Sequence, residues 1–449
     1  MPKSASIPGR AENALRATKP IAISLILFLV MLTPALRAQT LTVLHDFTGG
    51  DDGGTPYSGL TKGPGGGFYG TTWSGGYRSS DCVDTGCGTL FQFSRSGSGW
   101  DYSVLHTFMS GSDGAGPWAR LVFGPAGTLF GTTSAGGDLS QGCTVNGNQG
   151  CGTVFRLVPP NQVGPTAVHH GYQAASAPIS TVYTFHASDD GGGPGFGDLI
   201  FDPAGNIYGT AIGGGSHGWG VVYEISLSGQ DWTERALYGF TSGADGGEPY
   251  GGVVRDGRGN LYGGNVVGGD GSCEAGICGV IYQLMPSAGG WTDNTIFTFH
   301  DFGDTGVGAT PVGGLILDSS GNLYGSTVYG GASNGGTVFV MRPQQNGWSL
   351  TVLCNLPNVF GGPYASLTMD ASGDLYGTTF GDGAYYAGTV FKVTHSQDGW
   401  TCNTLHDFTG GNDGGFPASS VNIDAQGNLY GTASTGGAYG QGVIWEITP

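Results

Sequence analysis

Aspartate beside glycine recurs along this chain at intervals that a set of equivalent loops would produce. The stretches are Asp51-Asp52-Gly53-Gly54, Asp113-Gly114, Asp189-Asp190-Gly191-Gly192, Asp245-Gly246-Gly247, Asp304 and Asp413-Gly414-Gly415. Calcium takes about six to eight oxygens and accepts flexible, Gly-rich backbone. Asp51, Asp52, Asp113, Asp189, Asp190, Asp245 and Asp413 are therefore candidate calcium ligands. No stretch matches the EF-hand loop, and Asp-Gly is also ordinary turn chemistry. The turn is the simpler reading. Loop carboxylates on one surface could also supply the pair that cleaves a glycosidic bond.

Aromatic side chains form a second series. Tyr57, Trp118, Tyr250 and Tyr364 each follow a proline, and Phe196 stands two residues after Pro194; Val312 and Ala418 break the pattern. Such rings could stack on sugar faces, since an aromatic offers large area at low entropic cost. Packing between repeats is the simpler reading. Other catalytic signals are poor. Gly214-Gly215-Ser216-His217-Gly218 fits G-x-S-x-G, but that motif requires a strand-to-helix elbow, and here it falls in a Gly-rich loop. His45, His106 and His406 sit at equivalent places in different repeats, too far apart for one site. No phosphate loop, zinc helix motif or dinucleotide fingerprint occurs.

Six of the eight cysteines form close pairs, Cys82/Cys87, Cys143/Cys151 and Cys273/Cys278. Each pair lies in one loop and reads as a local disulfide in an oxidising compartment. A zinc site would need four converging donors, which no single loop supplies. Cys354 and Cys402 fall on outer strands of neighbouring repeats, where a bridge and two free thiols are both open.

The elements that must carry these residues follow from a repeat. An aromatic-Gly pair stands at Tyr69, Phe130, Tyr208, Tyr262, Tyr324, Tyr376 and Tyr430, seven copies spaced 52 to 78 residues apart. That period points to a propeller or a solenoid. Each unit reads as four short strands; in the first they are Tyr57–Lys62, Phe68–Trp73, Thr89–Ser94 and Asp101–Phe108. Asp-x-x-Gly-Asn, as in Asp202 to Asn206 and Asp318 to Asn322, is hairpin chemistry between the first two strands. The fourth strand in most units opens with Trp and closes with Phe, as in Trp232 to Phe240. The last unit lacks it, while Leu41 to Phe47 is an orphan copy of it at the other end. These observations predict an all-β fold, a seven-bladed β-propeller of four-stranded blades closed by the N-terminal strand joining the last blade. The propeller would span 39–449, with a surface insertion at 159–177. The Pro-led strands would line the channel, and the acidic and cysteine-bearing loops would share one face.

Composition narrows the function classes. The 449 residues include 91 glycines, as a dense set of tight turns requires, and the formal net charge is −18. A surface of that sign repels phosphate backbones, so no nucleic-acid partner is expected. Ile21 to Leu32 is apolar, follows a basic region and precedes Pro34-Ala35-Leu36-Arg37-Ala38. Residues 1–38 thus read as a secretory signal peptide with cleavage after Ala38, leaving no membrane span. The basic stretch before the apolar run is long, so a misassigned start and an uncleaved anchor stand as alternatives.

Gly427-Asn428-Leu429-Tyr430-Gly431-Thr432 and Gly336-Thr337-Val338-Phe339 resemble the GloVer (Gloeobacter/Verrucomicrobia-type) tandem repeat of secreted bacterial proteins, over residues 41–449. The Asp-x-x-Gly-Asn-Leu-Tyr core is also similar to blades of sensor-type propellers such as the two-component regulator family. The resemblance implies an extracellular repeat protein without established activity, and it carries over no catalytic residue. Some relatives end in an anchoring segment; this chain ends at Ile447-Thr448-Pro449, which favours release or loose surface association. The leading expectation is a secreted, non-catalytic protein binding an extracellular glycan or protein through its loop face, with calcium as the one cofactor to consider. A polysaccharide-active hydrolase or lyase using loop carboxylates, and a purely structural cell-surface repeat, are the alternatives.

Overall fold

The structure, a computed structural model, describes residues 39–449 apart from 83–84, 160–178, 270–277, 301–305, 358–360 and 398. The expected signal peptide, the insertion beyond Pro159, Asp304 and Cys273 lie outside the described residues, and with Cys273 the expected Cys273–Cys278 pairing.

Seven four-stranded antiparallel sheets form the blades of a propeller. In blades 1 to 6 the strands follow chain order from channel to rim. Blade 1, for example, comprises Thr61–Lys62, Phe68–Thr72, Thr89–Ser96 and Gly99–Thr107. Blade 7 comprises Asn422–Ile423, Leu429–Ala433 and Val443–Thr448, and its outer strand is Thr40–Asp46 from the N-terminal end. That closure occupies an edge that would otherwise stay unpaired. Blades 7 and 1 are stitched by Thr432 Oγ1 donating to the Ser58 carbonyl at 3.0 Å and Asn422 Nδ2 to the Leu60 carbonyl at 2.7 Å.

The repeated aromatic-Gly pair has a packing cause. Each glycine lies on the second strand directly opposite an aromatic residue of the third, as Gly70 opposite Phe91 and Gly209 opposite Tyr223. The ring lies over the glycine so closely that a Cβ would come within 2.2 to 2.6 Å of it in all seven blades. The preceding Tyr is held by the hairpin. In blade 3, Asp202 Oδ1 accepts from the Ala204 and Asn206 amides at 2.9 Å, and Oδ2 accepts from Asn206 Nδ2 at 3.0 Å and Tyr208 Oη at 3.3 Å. The same set recurs at Asp256, Asp318 and Asp424. Asp-x-x-Gly-Asn-Leu-Tyr is thus one hydrogen-bonded unit.

The innermost strands are shorter than the sequence suggests. Of Tyr57–Lys62 only Thr61–Lys62 joins the ladder. The residues before them are wedged against neighbouring blades, where a Cβ on Gly197 would sit 2.5 Å from the Gly252 amide. Ser58 continues the pairing by side chain, its Oγ bonding both the amide and the carbonyl of Thr71, and Ser419 does the same for Thr432.

Candidate functional site

Loops from the fourth strand into the next blade meet loops from the second strand to the third, joined by isolated bridges such as Gly54 to Ser74 and Ala115 to Ala135. Both loop sets therefore share the face on which the channel opens. The strand-opening prolines fix the rim, because Pro117 packs on Gly88 and Pro249 on Gly220 of the preceding blade. The residue before each proline is turned to positive φ where it is Thr55, Gly116, Gly193, Glu248, Thr310 or Phe416.

That geometry aims the next residues at the channel mouth. Tyr57, Trp118, Phe196, Tyr250 and Tyr364 all line one cavity of about 300 Å³, with Asn146, Val312, Phe380 and Ala418. Tyr57 stacks on Trp118 with centroids 3.9 Å apart and 7° between planes. Phe196 stands 5.1 Å from Trp118 on one side and 5.1 Å from Tyr250 on the other. The four rings make a continuous arc across blades 1 to 4. Across the mouth Tyr364 packs on Phe380 at 5.3 Å. Burial raises the hydroxyl pKa of Tyr57 and of Tyr250, the latter with help from Glu248, and pushes Tyr364 up to about 12, with Tyr329 adding to it. These phenols are neutral donors and acceptors at ordinary pH. Deeper in, the channel narrows to a waist of glycine backbone beside the Arg120–Asp198 ion pair at 2.9 Å.

The aspartates behave differently. Each stays in its own loop and is consumed by it. Asp113 accepts from the Met109 amide at 3.1 Å and meets His106 Nε2 at 2.9 Å. Asp413 binds the Thr409 amide and His406 in the same way, at 3.0 and 3.1 Å. Asp190 accepts from the His186 amide and Tyr183 Oη, both at 3.0 Å, and Asp245 from the Thr241 amide at 2.9 Å and Tyr238 Oη at 3.2 Å. Asp52 accepts from the Thr48 amide at 3.0 Å and lies 3.4 Å from His45 Nε2. Burial lowers the His45 pKa, and Asp52 opposes that shift. The following glycine completes the turn, since Gly53 has φ +92° and a Cβ there would lie 2.2 Å from Thr72 Oγ1. Asp51 and Asp189 are the exposed neighbours. The structure brings the five aromatics together and keeps the aspartates apart. Among the described residues no group of three or more His, Cys, Asp or Glu side chains is placed to hold a metal ion.

Disulfides join Cys82 to Cys87, Cys143 to Cys151 and Cys354 to Cys402. The first two stiffen loops on the mouth face, and the third ties the outer strands of blades 5 and 6. Ser216 and His217, of the G-x-S-x-G stretch, lie exposed in a blade 3 loop with Oγ and Nδ1 3.0 Å apart and no elbow beneath them. Sequence reasoning missed Asn146 and Phe380. Phe380 falls just past the second strand, the position Trp73 holds in blade 1, where Trp73 lies 6.2 Å from Tyr57. Lining up the units on their aromatic-Gly pairs would have exposed that position.

The sequence model of the Gloeobacter/Verrucomicrobia repeat matches residues 143–358 and 349–449. No curated protein matches the chain. Among solved structures, a protein of unknown function from Dyadobacter fermentans is similar at 11% identity and a TM-score of 0.45, covering 92% of this chain and 99% of that one. A proposed oxidoreductase (glucose dehydrogenase) from Thermus thermophilus is similar at 17% identity and a TM-score of 0.39, covering 74% of this chain and 96% of that one. Likenesses this distant carry no functional argument.

Proposed function

We propose that this chain, which belongs to the Gloeobacter/Verrucomicrobia repeat family, is a secreted, non-catalytic propeller that binds an extracellular glycan at its channel mouth. One observation carries the reading: the arc of Tyr57, Trp118, Phe196 and Tyr250 opening on a concave space of about 300 Å³. That volume is at the lower end of ordinary ligand pockets, which run from about 300 to 1,000 Å³. Flat rings at a concave mouth suit the apolar faces of sugar rings. The loop aspartates support binding over hydrolysis, because Asp52, Asp113, Asp190, Asp245 and Asp413 are each spent on a turn amide of their own loop rather than paired across a cleft. Three disulfides among the described residues, together with the leader pattern of residues 1–38, support export to an oxidising compartment.

The purified protein applied to a broad glycan array, with calcium and again with chelator, tests the reading. Binding that Trp118→Ala abolishes supports it. Absence of binding in both conditions overturns the glycan assignment.

A further inference from the structure

Beside the mouth lies a second cavity, of about 480 Å³, over blades 2 and 3. Asn146 and Tyr250 line both spaces, so the two are contiguous. Its walls are peculiar to this sector. On one side, the strands Thr144–Val145 and Asn148–Gln149 form a small hairpin with positive φ at Asn146 and Gly147, clamped at its base by Cys143–Cys151. Asn-Gly is the dipeptide such a two-residue turn calls for. On the other side is Trp219, 40% exposed although it is the largest of side chains.

Glu248 joins these walls. It lines the cavity from the residue before Pro249, its amide donating to the Trp219 carbonyl at 2.8 Å. Its φ is +54°, a backbone shape this position shares with Thr55, Thr310 and Phe416, and blades 2 and 3 place Gly116 and Gly193 there. A half-buried carboxylate lining a cleft is a poor choice for stability alone. Burial raises its pKa. Among the described residues, Glu248 is also the single charged one lining either the mouth or the cleft. A negatively charged chain would meet it, and the net charge of −18, with no compensating cation among the described lining residues.

We infer that this cleft is a second subsite continuous with the mouth, taking the next sugars of an uncharged polysaccharide chain. Trp219 and Tyr250 present ring faces to that chain, and the Glu248 carboxylate accepts hydrogen bonds from its hydroxyls. The inference rests on the glycan reading of the mouth and specifies its substrate as an internal stretch of chain rather than one terminal sugar.

Calorimetric titration of the purified protein with cello-, laminari- and N-acetylchito-oligosaccharides of two to six units tests it, with oligogalacturonate as the anionic comparator. In the series that binds, affinity is expected to rise about tenfold or more from dimer to hexamer, equivalent to about 1.4 kcal/mol. Glu248→Gln and Trp219→Ala each erase that gain and leave dimer binding unchanged, and oligogalacturonate binds more weakly than its uncharged counterparts. Glu248→Gly, which restores the residue of blades 2 and 3, removes the carboxylate while relaxing the backbone, so a loss of hexamer affinity there cannot be blamed on misfolding. Dimer binding with no gain in length, or a hexamer affinity untouched by Glu248→Gln, overturns the second subsite and leaves the mouth intact. No binding in any series overturns both.

Discussion

Cys354 on the outer strand of blade 5 is bonded to Cys402 on the outer strand of blade 6, at the place where blades 7 and 1 make a ring contact. Between blades 7 and 1 the equivalent residues are His45 and Tyr102, stacked at 4.1 Å. In blades 1, 2, 3 and 6 the residue equivalent to Cys354 is His106, Tyr183, Tyr238 or His406, each tied to an aspartate seven residues on, and in blade 4 it is Phe297. The loop after Cys354 is the one that carries Phe360-Gly361-Gly362 in place of Asp-Gly.

The tie spans 48 residues, whereas Cys82–Cys87 spans 5. A longer closed loop removes more entropy from the unfolded chain. Replacing Cys354 and Cys402 by serine is expected to lower stability by about 2–4 kcal/mol, and the same change at Cys82 and Cys87 by less. Urea unfolding under non-reducing conditions measures both. Equal losses would show that the outer-strand bond does not act through the unfolded state.

At the same blade boundaries the fold buries acids. Glu234 and Asp293 each stand two residues after the Trp of a fourth strand, Trp232 and Trp291, where blade 1 has Tyr102. Glu234 Oε1 and Asp293 Oδ1 are buried without a partner among the described residues. Burial, then the charge of Asp190, pushes Glu234 up to about 8; burial, then Asp245, pushes Asp293 up to about 6. A carboxyl whose pKa is higher in the fold than in the open chain binds protons more tightly when folded. Stability therefore falls as pH rises, from about 4.5 to 8 for Glu234 and from about 4 to 6 for Asp293. The urea midpoint should decline across that range. Glu234→Gln should flatten the upper part of the decline and be more stable than the native chain at pH 8.5. A Glu234→Gln variant whose pH profile parallels the native one would rule out this carboxyl as the source.

Much of this architecture was legible because each blade repeats its own reasons. The aromatic-Gly pair carries local chemistry in seven copies and so marks seven blades, and the Asp-x-x-Gly-Asn hairpin and the Trp-to-Phe strand reinforce it in four units each. The orphan Leu41 to Phe47 announced ring closure for the same reason. The Pro-led aromatics were legible as a series because proline fixes where the chain enters the channel, and their rings pack on one another between blades as well as lining the mouth. Glu248 was not legible, since its meaning depends on a positive φ and on Trp219 of another blade. Nor was the bond from His106 to Asp113, which joins a strand residue to a loop residue only once the chain has turned between them. The short inner strands were misread because a period-2 pattern records alternation, not the crowding of seven segments around one axis.

Tyr223 and Gly209 make the sharpest test of the repeat. They face each other across the second and third strands of blade 3, and Tyr223 is fully buried with its hydroxyl unpaired among the described residues. A Cβ on Gly209 would sit 2.3 Å from that oxygen. Gly209→Ala should cost on the order of 1–3 kcal/mol through overpacking. Gly257→Ala, in open space, should stay within about 0.5 kcal/mol of the native chain. Tyr223→Phe works in the opposite direction, because blades 1, 2, 5 and 6 use Phe91, Phe155, Phe339 and Phe391 at this place. Removing an unpaired buried hydroxyl should raise stability by on the order of 1 kcal/mol. Thermal and urea unfolding of the three variants read these differences. A destabilised Tyr223→Phe would mean that the hydroxyl has a partner, such as an ordered water, and that blade 3 is organised around it.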